Sequence, residues 1–199
     1  MAHGHGFKKT RVIILASASP RRRMLLRVLG VPFRVRVARV DELDDDRMSP
    51  PRLVTANARL KAEAIAARLR QGIVIGADTV VVLGSQRFGK PRDARHAKTM
   101  LSRLSGRTHR VYTGLCIMDT DRRRRFMDAV CTRVTMRRLS AAQIARYLHG
   151  QAPWDKAGAY AVQDVHGMFI HEVHGSLSNV VGLPLELVER RLRQCGVRL

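Results

Sequence analysis

Val12-Ile13-Ile14-Leu15-Ala16-Ser17-Ala18-Ser19-Pro20-Arg21-Arg22-Arg23-Met24-Leu25-Leu26-Arg27-Val28-Leu29-Gly30 reads as a strand, a turn and a helix in direct succession. The apolar run 12–16 has the length and branching of a fully buried strand. Ser17-Ala18-Ser19 stops it. Ser19 suits the N-cap, Pro20 the first helical position, and Gly30 the stop at C′. A buried strand that feeds straight into a helix is the opening of an α/β domain.

Outward from this unit, strands and helices keep alternating. Phe33-Arg34-Val35-Arg36-Val37 alternates apolar and basic residues as a second strand, and Asp41-Glu42-Leu43-Asp44-Asp45-Asp46 follows as an acidic loop. Pro50 or Pro51 opens a long helix ending near Gly72, with Leu53, Ala56, Leu60 and Ala64 on its expected buried face. Ile73-Val74-Ile75 and Val80-Val81-Val82-Leu83 are strand runs interrupted by Gly76-Ala77-Asp78-Thr79. Asp93 caps a helix that Gly106 stops, with Ala97, Met100, Leu101 and Leu104 at helical spacing. Two strands near 110–118 and 127–137 are joined by a solvated turn around Arg122-Arg123-Arg124-Arg125. Ser140 caps a short helix to His149, residues 160–173 suggest further short strands, and Pro184 opens a last helix to about Gln194.

The 199 residues are 45% apolar and 27% charged, which excludes a collagen-like, disordered or small disulfide-stapled protein. No apolar stretch approaches the ~20 residues that span a bilayer. Against 16 acidic residues stand 37 basic ones, a net charge of +21, and only six of the basic residues are Lys. Such a chain attracts polyanions, so non-specific association with nucleic acid is an expected accompaniment. A nucleic-acid-binding protein is the competing class, but no binding motif is evident and only 5% of the residues are aromatic platforms for stacking. Cys116, Cys131 and Cys195 are odd in number and far apart, as expected of buried, reduced thiols in a cytoplasmic protein. Residues 1–10 read as a basic N-terminal arm and 11–199 as a single domain, since no linker or repeat divides them.

Four places carry chemistry. Three Arg crowd the first turn of the first helix, where free amides and the positive dipole end already gather. Either an anion shares that site, as in a phosphate cradle, or the side chains simply point to water. Asp78 lies between apolar runs, where a carboxylate calls for a metal or cationic partner and can serve as a general base; the alternative is a turn residue at a strand end. Lys61 and Lys90 are isolated ammonium groups in an Arg-rich chain, suited to pairing with phosphate or carboxylate. Trp154-Asp155-Lys156-Ala157-Gly158-Ala159-Tyr160-Ala161-Val162-Gln163 mixes small residues, aromatics and an amide, as a wall for a flat base would, or as a plain turn packed on the core. His166, His171 and His174 lack metal-site spacing. Without GxGxxG, GxxxxGK, GxSxG or CxxC, a covalent nucleophile has no motif behind it.

Leu15-Ala16-Ser17-Ala18-Ser19-Pro20-Arg21-Arg22, Gly76-Ala77-Asp78-Thr79-Val80, Gly89-Lys90-Pro91, Asp155-Lys156-Ala157-Gly158-Ala159-Tyr160 and Val181-Gly182-Leu183-Pro184-Leu185 together resemble the Maf-type nucleoside triphosphate pyrophosphatases. The resemblance implies a two-lobed α/β fold, a mixed sheet with flanking helices and a central cleft like that of inosine-triphosphate pyrophosphatase. It implies a homodimeric catalytic domain that releases pyrophosphate from a nucleoside triphosphate with Mg²⁺ or Mn²⁺. It makes Asp78 the proton acceptor, places Glu42 with Asp78 at the metal, and gives the phosphates to Ser17, Ser19, Arg22, Lys61 and Lys90. Arg21, Thr79 and Gln163 fall at positions that sort substrates, in the pattern of the dTTP/UTP branch; 7-methyl-GTP, the substrate of a sister branch, is the alternative. The basic arm has no counterpart in the family pattern.

Overall fold

The computed structural model describes residues 11–150, 153–162 and 168–199. Its elements are β1 (Ile13–Leu15), α1 (Pro20–Val28), β2 (Phe33–Val35), α2 (Pro50–Ala66), β3 (Ile73–Leu83), β4 (Gln86–Phe88), α3 (Ala94–Leu104), β5 (Thr108–Asp119), β6 (Arg124–Met136) and α4 (Ala141–Gly150). Two 3-10 turns follow, Pro153–Asp155 and Ala157–Ala159, then β7 (Ile170–His174), α5 (Leu177–Val181) and α6 (Leu185–Gln194).

The described strands form one mixed sheet, in the order β2-β1-β3-β5-β6-β7, with β4 against the far end of β3. β1 runs parallel to β2 and β3, and the remaining pairs are antiparallel. The parallel end is covered on both faces, because its runs are apolar on both sides. Ile13, Leu15, Ile73, Ile75 and Leu115 pack with Leu26 of α1 and Val188 and Leu192 of α6. Ile14, Val74 and Cys116 pack with Ala58, Ala62 and Ile65 of α2 on the opposite face. At the other end of β3, Val81 joins Val111, Val134 and Met136 beneath α3 and α4 in a second core. The fold is therefore α/β with two lobes that share β3 and β5.

The expected interruption at 76–79 does not occur. β3 pairs with β5 without a break from Ile73↔Asp119 to Val82↔Arg110, so Asp78 sits inside a strand rather than in a turn. Gly76 serves close approach, not a bend. A Cβ there would strike the Ala58 carbonyl and Ala62, and a Cβ on Gly114 would strike the Val54 carbonyl. The two glycines let the α2 backbone settle directly on the sheet.

That closeness also turns α2 about its axis. Leu53 is buried as expected, but Ala56, Leu60 and Ala64 are only half-buried, and the inner face is Leu53, Val54, Asn57, Ala58, Lys61, Ala62 and Ile65. Alanines over glycines permit a denser interface than a leucine could, and dense packing decides the orientation. Asn57 and Lys61 are carried inward with them.

Three further expectations are corrected. Among the described residues of 160–173, only Ile170–His174 carries a strand, and residues 157–159 are a 3-10 turn with Gly158 at φ 72. The hairpin arginines are not all free in water, because Arg122 donates to the Cys195 carbonyl at 2.7 Å. Cys116 and Cys195 are buried free thiols, pushed up to about 12 and about 11 by desolvation, but Cys131 is exposed on β6. His171 and His174 are exposed on β7, whereas the arm 1–10, Gln163 and His166 lie outside the described residues.

Candidate active site

On one edge β3 pairs with β1 through Ile73–Ile75 and with β4 through Val81–Leu83. On that edge, residues 76–80 between these pairings have no strand beside them among the described residues, although β5 pairs with them on the other. β1 ends, the Ala16 amide donates to the Ile75 carbonyl at 2.8 Å, and the chain turns away through Ser17 and Ser19 into α1. The opening left between the lobes is a cleft of about 1050 Å³. Ser17, Ser19, Arg21, Arg22, Glu42, Lys61, Asp78, Thr79 and Lys90 all line it.

Strand alternation sends Asp78 and Thr79 to opposite faces of the sheet. On the α2 face, Asp78 Oδ1 accepts from Lys61 Nζ at 2.7 Å, and Oδ2 accepts from Asn57 Nδ2 at 3.3 Å. Lys61 Nζ also meets Glu42 Oε1 at 3.0 Å, so one ammonium bridges two carboxylates. The Lys61 and Asp78 side chains are 11% and 14% exposed against 46% for Glu42, so the Asp78 pair is the less screened of the two.

On the α1 face, Arg22 is held, among the described residues, by neutral oxygens alone. Its Nε donates to the Gly182 carbonyl at 2.8 Å, Nη1 to Ser17 Oγ at 3.3 Å and Nη2 to Thr79 Oγ1 at 3.0 Å. Thr79 in turn meets Thr113 Oγ1 at 3.0 Å, and Thr113 donates to the Asn179 carbonyl. Desolvation by burial pulls the Arg22 pKa down, opposed by the more distant charges of Asp78 and Glu42. Ser17 Oγ also accepts from the Ser19 amide, and Ser19 Oγ caps α1 by accepting from the Arg22 amide. Of the three first-turn arginines, Arg23 is the exposed one.

Arg21 reaches across the cleft to Asp155, with Nη1 at 2.5 Å from Oδ2 and Nη2 at 2.9 Å from the Asp155 carbonyl. Lys90 is exposed at the rim just beyond β4, with no ion pair among the described residues. Nearby, Tyr160 forms a 2.6 Å hydrogen bond with the buried His109 Nε2. Burial pushes His109 down to about 4, so the ring is neutral at ordinary pH.

Three residues in this network carry little separate signal in the linear sequence. Asn57 gives a faint one, standing one helical turn before Lys61. Arg87 binds the carbonyls of Asp45, Asp46 and Met48, and so fastens the acidic loop to β4. Asp155 meets Arg21 from 134 residues away in sequence.

A family model described as Maf-like protein matches residues 12–195. The chain belongs to the Maf family. Within reach of that family, the chain is 45% identical over 189 residues to a Desulforamulus reducens protein named dTTP/UTP pyrophosphatase, covering 95% of this chain and 99% of the relative. A protein of the same name from Syntrophus aciditrophicus is 43% identical, with 94% and 91% covered. A Myxococcus xanthus protein, also so named, is 45% identical, with 94% of each chain covered. Among solved structures, the Staphylococcus aureus Ham1 protein overlaps at a TM-score of 0.43 and 16% identity, over 63% of this chain and 72% of that one. That overlap is too loose to add to the Maf assignment.

Among the described residues no three His, Cys, Asp or Glu side chains gather as a metal cage. Asp78 and Glu42 nevertheless converge on one cation, the Lys61 ammonium. Magnesium is commonly held by one or two carboxylates together with substrate phosphates, and this donor pair fits that mode. No helix among the described residues is long and apolar enough to cross a membrane.

Proposed function

We propose that this chain is a nucleoside triphosphate pyrophosphatase that converts dTTP and UTP to the monophosphate and pyrophosphate. The observation that carries the reading is Asp78, a carboxylate on the cleft floor with a cation bonded to it and, lining the same cleft, Arg22 and Lys90, which have no ion pair among the described residues. The names of relatives at 43–45% identity over nearly the whole chain support the substrate class.

Asp78 is the proton acceptor for the attacking water. Lys61 and Asn57 use one lone pair on each of its oxygens, which leaves capacity to take the water's proton. Arg22 and Lys90 bind the phosphates, and Ser17 and Ser19 shape the turn beneath them. When bound, Mg²⁺ or Mn²⁺ would be held by Asp78 and Glu42 and would neutralise charge as the α–β phosphoanhydride is split. Arg22, already fixed by neutral acceptors, stabilises that charge without reorganising, which is where preorganised cations gain most. Arg21, Thr79 and Gln163 sort the base. The reading includes 11–199 as one catalytic domain, a homodimer and a cytoplasmic location, the first two open to sedimentation and limited proteolysis.

The test is a panel of UTP, dTTP, CTP, GTP and 7-methyl-GTP with Mg²⁺, read by pyrophosphate release. UTP and dTTP are expected to lead in kcat/KM. A lead for 7-methyl-GTP moves the chain to the sister branch. No cleavage at all, with tight RNA binding at moderate salt, overturns the enzyme reading.

A further inference from the structure

Asn57 is 3% exposed on the inner face of α2, yet every hydrogen-bonding group of its side chain is used. Its Oδ1 accepts from the Leu43 amide at 2.7 Å, and its Nδ2 donates to the Leu43 carbonyl at 3.0 Å. The second Nδ2 hydrogen is directed to Asp78 Oδ2 at 3.3 Å. Only one amide orientation satisfies this set. The flipped form would set NH₂ against the Leu43 N–H and an oxygen against a carboxylate.

Leu43 is 43% exposed, so burial does not hold this residue; its backbone does. Leu43 follows Glu42 in a loop without regular structure that also carries Asp41, Asp44, Asp45 and Asp46. Like charges so dense push such a loop outward. Arg87 ties it down from Asp45 to Met48. At Glu42 itself the carboxylate meets Lys61, and the tie on the adjoining backbone is Asn57.

From this geometry we propose that Asn57 is a positioning residue of the reaction, which sets the Glu42 carboxylate beside Lys61 and Asp78 by clamping the Leu43 peptide. One helix face then carries both the cation between the carboxylates, Lys61, and the clamp that fixes the outer carboxylate, four residues earlier. The closer contacts run to Leu43, so Asn57 acts mainly through Glu42. The activity readout of this proposal rests on the pyrophosphatase reading, but the clamp itself does not.

The test compares Asn57→Leu and Asn57→Ala in the full chain with the parent. Amide hydrogen exchange at Leu43 should quicken by about 10- to 100-fold, while exchange in β5 stays unchanged. kcat/KM for UTP should fall by about 10- to 100-fold, the scale of a misplaced catalytic group, with kcat bearing most of the loss. Introduced into a Glu42→Gln background, Asn57→Leu should cost under about 3-fold, because the group it positions is already gone. Unchanged Leu43 exchange in both variants overturns the clamp, and a full, independent loss in the Glu42→Gln background overturns action through Glu42. If the parent cleaves no nucleotide, the enzyme reading fails, and Leu43 exchange still decides the clamp.

Discussion

The two faces of β3 handle charge in opposite ways. On the Asp78 face, Lys61 is neutralised by two carboxylates at 2.7 and 3.0 Å. On the Thr79 face, Arg22 bonds to two hydroxyls and a carbonyl, and that face continues inward through Thr113, Asn179 and the neutral His109–Tyr160 pair. The Lys61 group is therefore one ammonium against two carboxylates, net negative, whereas among the described residues no carboxylate bonds Arg22 and its charge remains available to an incoming anion. Asp78 and Thr79 are neighbours on β3, so the carboxylate on one face and the Arg22 guanidinium that bonds to Thr79 on the other reach the same cleft without bonding to each other.

The largest effect expected is at the base. Asp78→Asn keeps the size and should lower turnover by about 10²- to 10⁴-fold with the fold intact. Near-parental turnover would remove the base from the Asp78 face and with it the contrast. Next, Arg22→Met and Lys61→Met should separate activity from stability. Both should lose about 10²-fold or more in kcat/KM, Arg22→Met because a phosphate contact disappears and Lys61→Met because Asp78 and Glu42 lose the cation that holds them together. Lys61→Met alone should also cost about 1–3 kcal/mol in denaturant unfolding, because it strands two facing carboxylates that are partly exposed. Arg22→Met, which removes a desolvated cation bonded to neutral groups, should leave stability within about 1 kcal/mol. Equal stability losses would show that the two faces do not differ.

A third expectation concerns the neutral face. His109 is depressed from 6.5 to about 4, so the unfolded chain binds the extra proton between those values. Stability should therefore fall as pH drops from 6.5 towards 4, by up to about 1.4 kcal/mol per pH unit from this residue. His109→Gln should flatten that part of the stability profile, measured by denaturant unfolding at several pH values. The smallest effect is at the rim. Arg21 and Asp155 are 18% and 47% exposed, so Asp155→Asn should shift KM for UTP by no more than about fivefold. Arg124→Ala in the exposed hairpin should leave it unchanged.

Legibility in the sequence follows the range of the interactions. The β1–α1 unit is local: an apolar run, a Ser cap and a Pro at N1, and the structure repeats it nearly residue for residue. Strand alternation across β5 and β6, and the caps at Asp93 and Ser140, are equally local. The candidate residues Ser17, Ser19, Arg21, Arg22, Glu42, Lys61, Asp78, Thr79 and Lys90 stand out by residue type and motif, and they share one cleft. What could not be read were contacts set by another element. Gly76 looks like a chain-breaker from its neighbours and becomes a strand residue because α2 lies on it. Leu60 looks like the core of α2 until Gly76 admits Ala58 and Ala62, and Gly114 admits Val54, instead.

By itself, the sequence determined the α/β class, the order of most elements, the family and the chemical groups brought to the cleft. These depend on short-range periodicity, capping and residue identity. Only the tertiary structure decided which cation is compensated and which is not, and that Asn57, Arg87 and Asp155 belong to the network. Hydrogen bonds between residues 42 to 160 positions apart, such as Arg87 to Asp45 and Arg22 to Gly182, exist only once packing has brought the backbones together. The physical reason is that a charge takes its properties from the atoms within a few ångströms of it, and in this cleft those atoms come from distant parts of the chain.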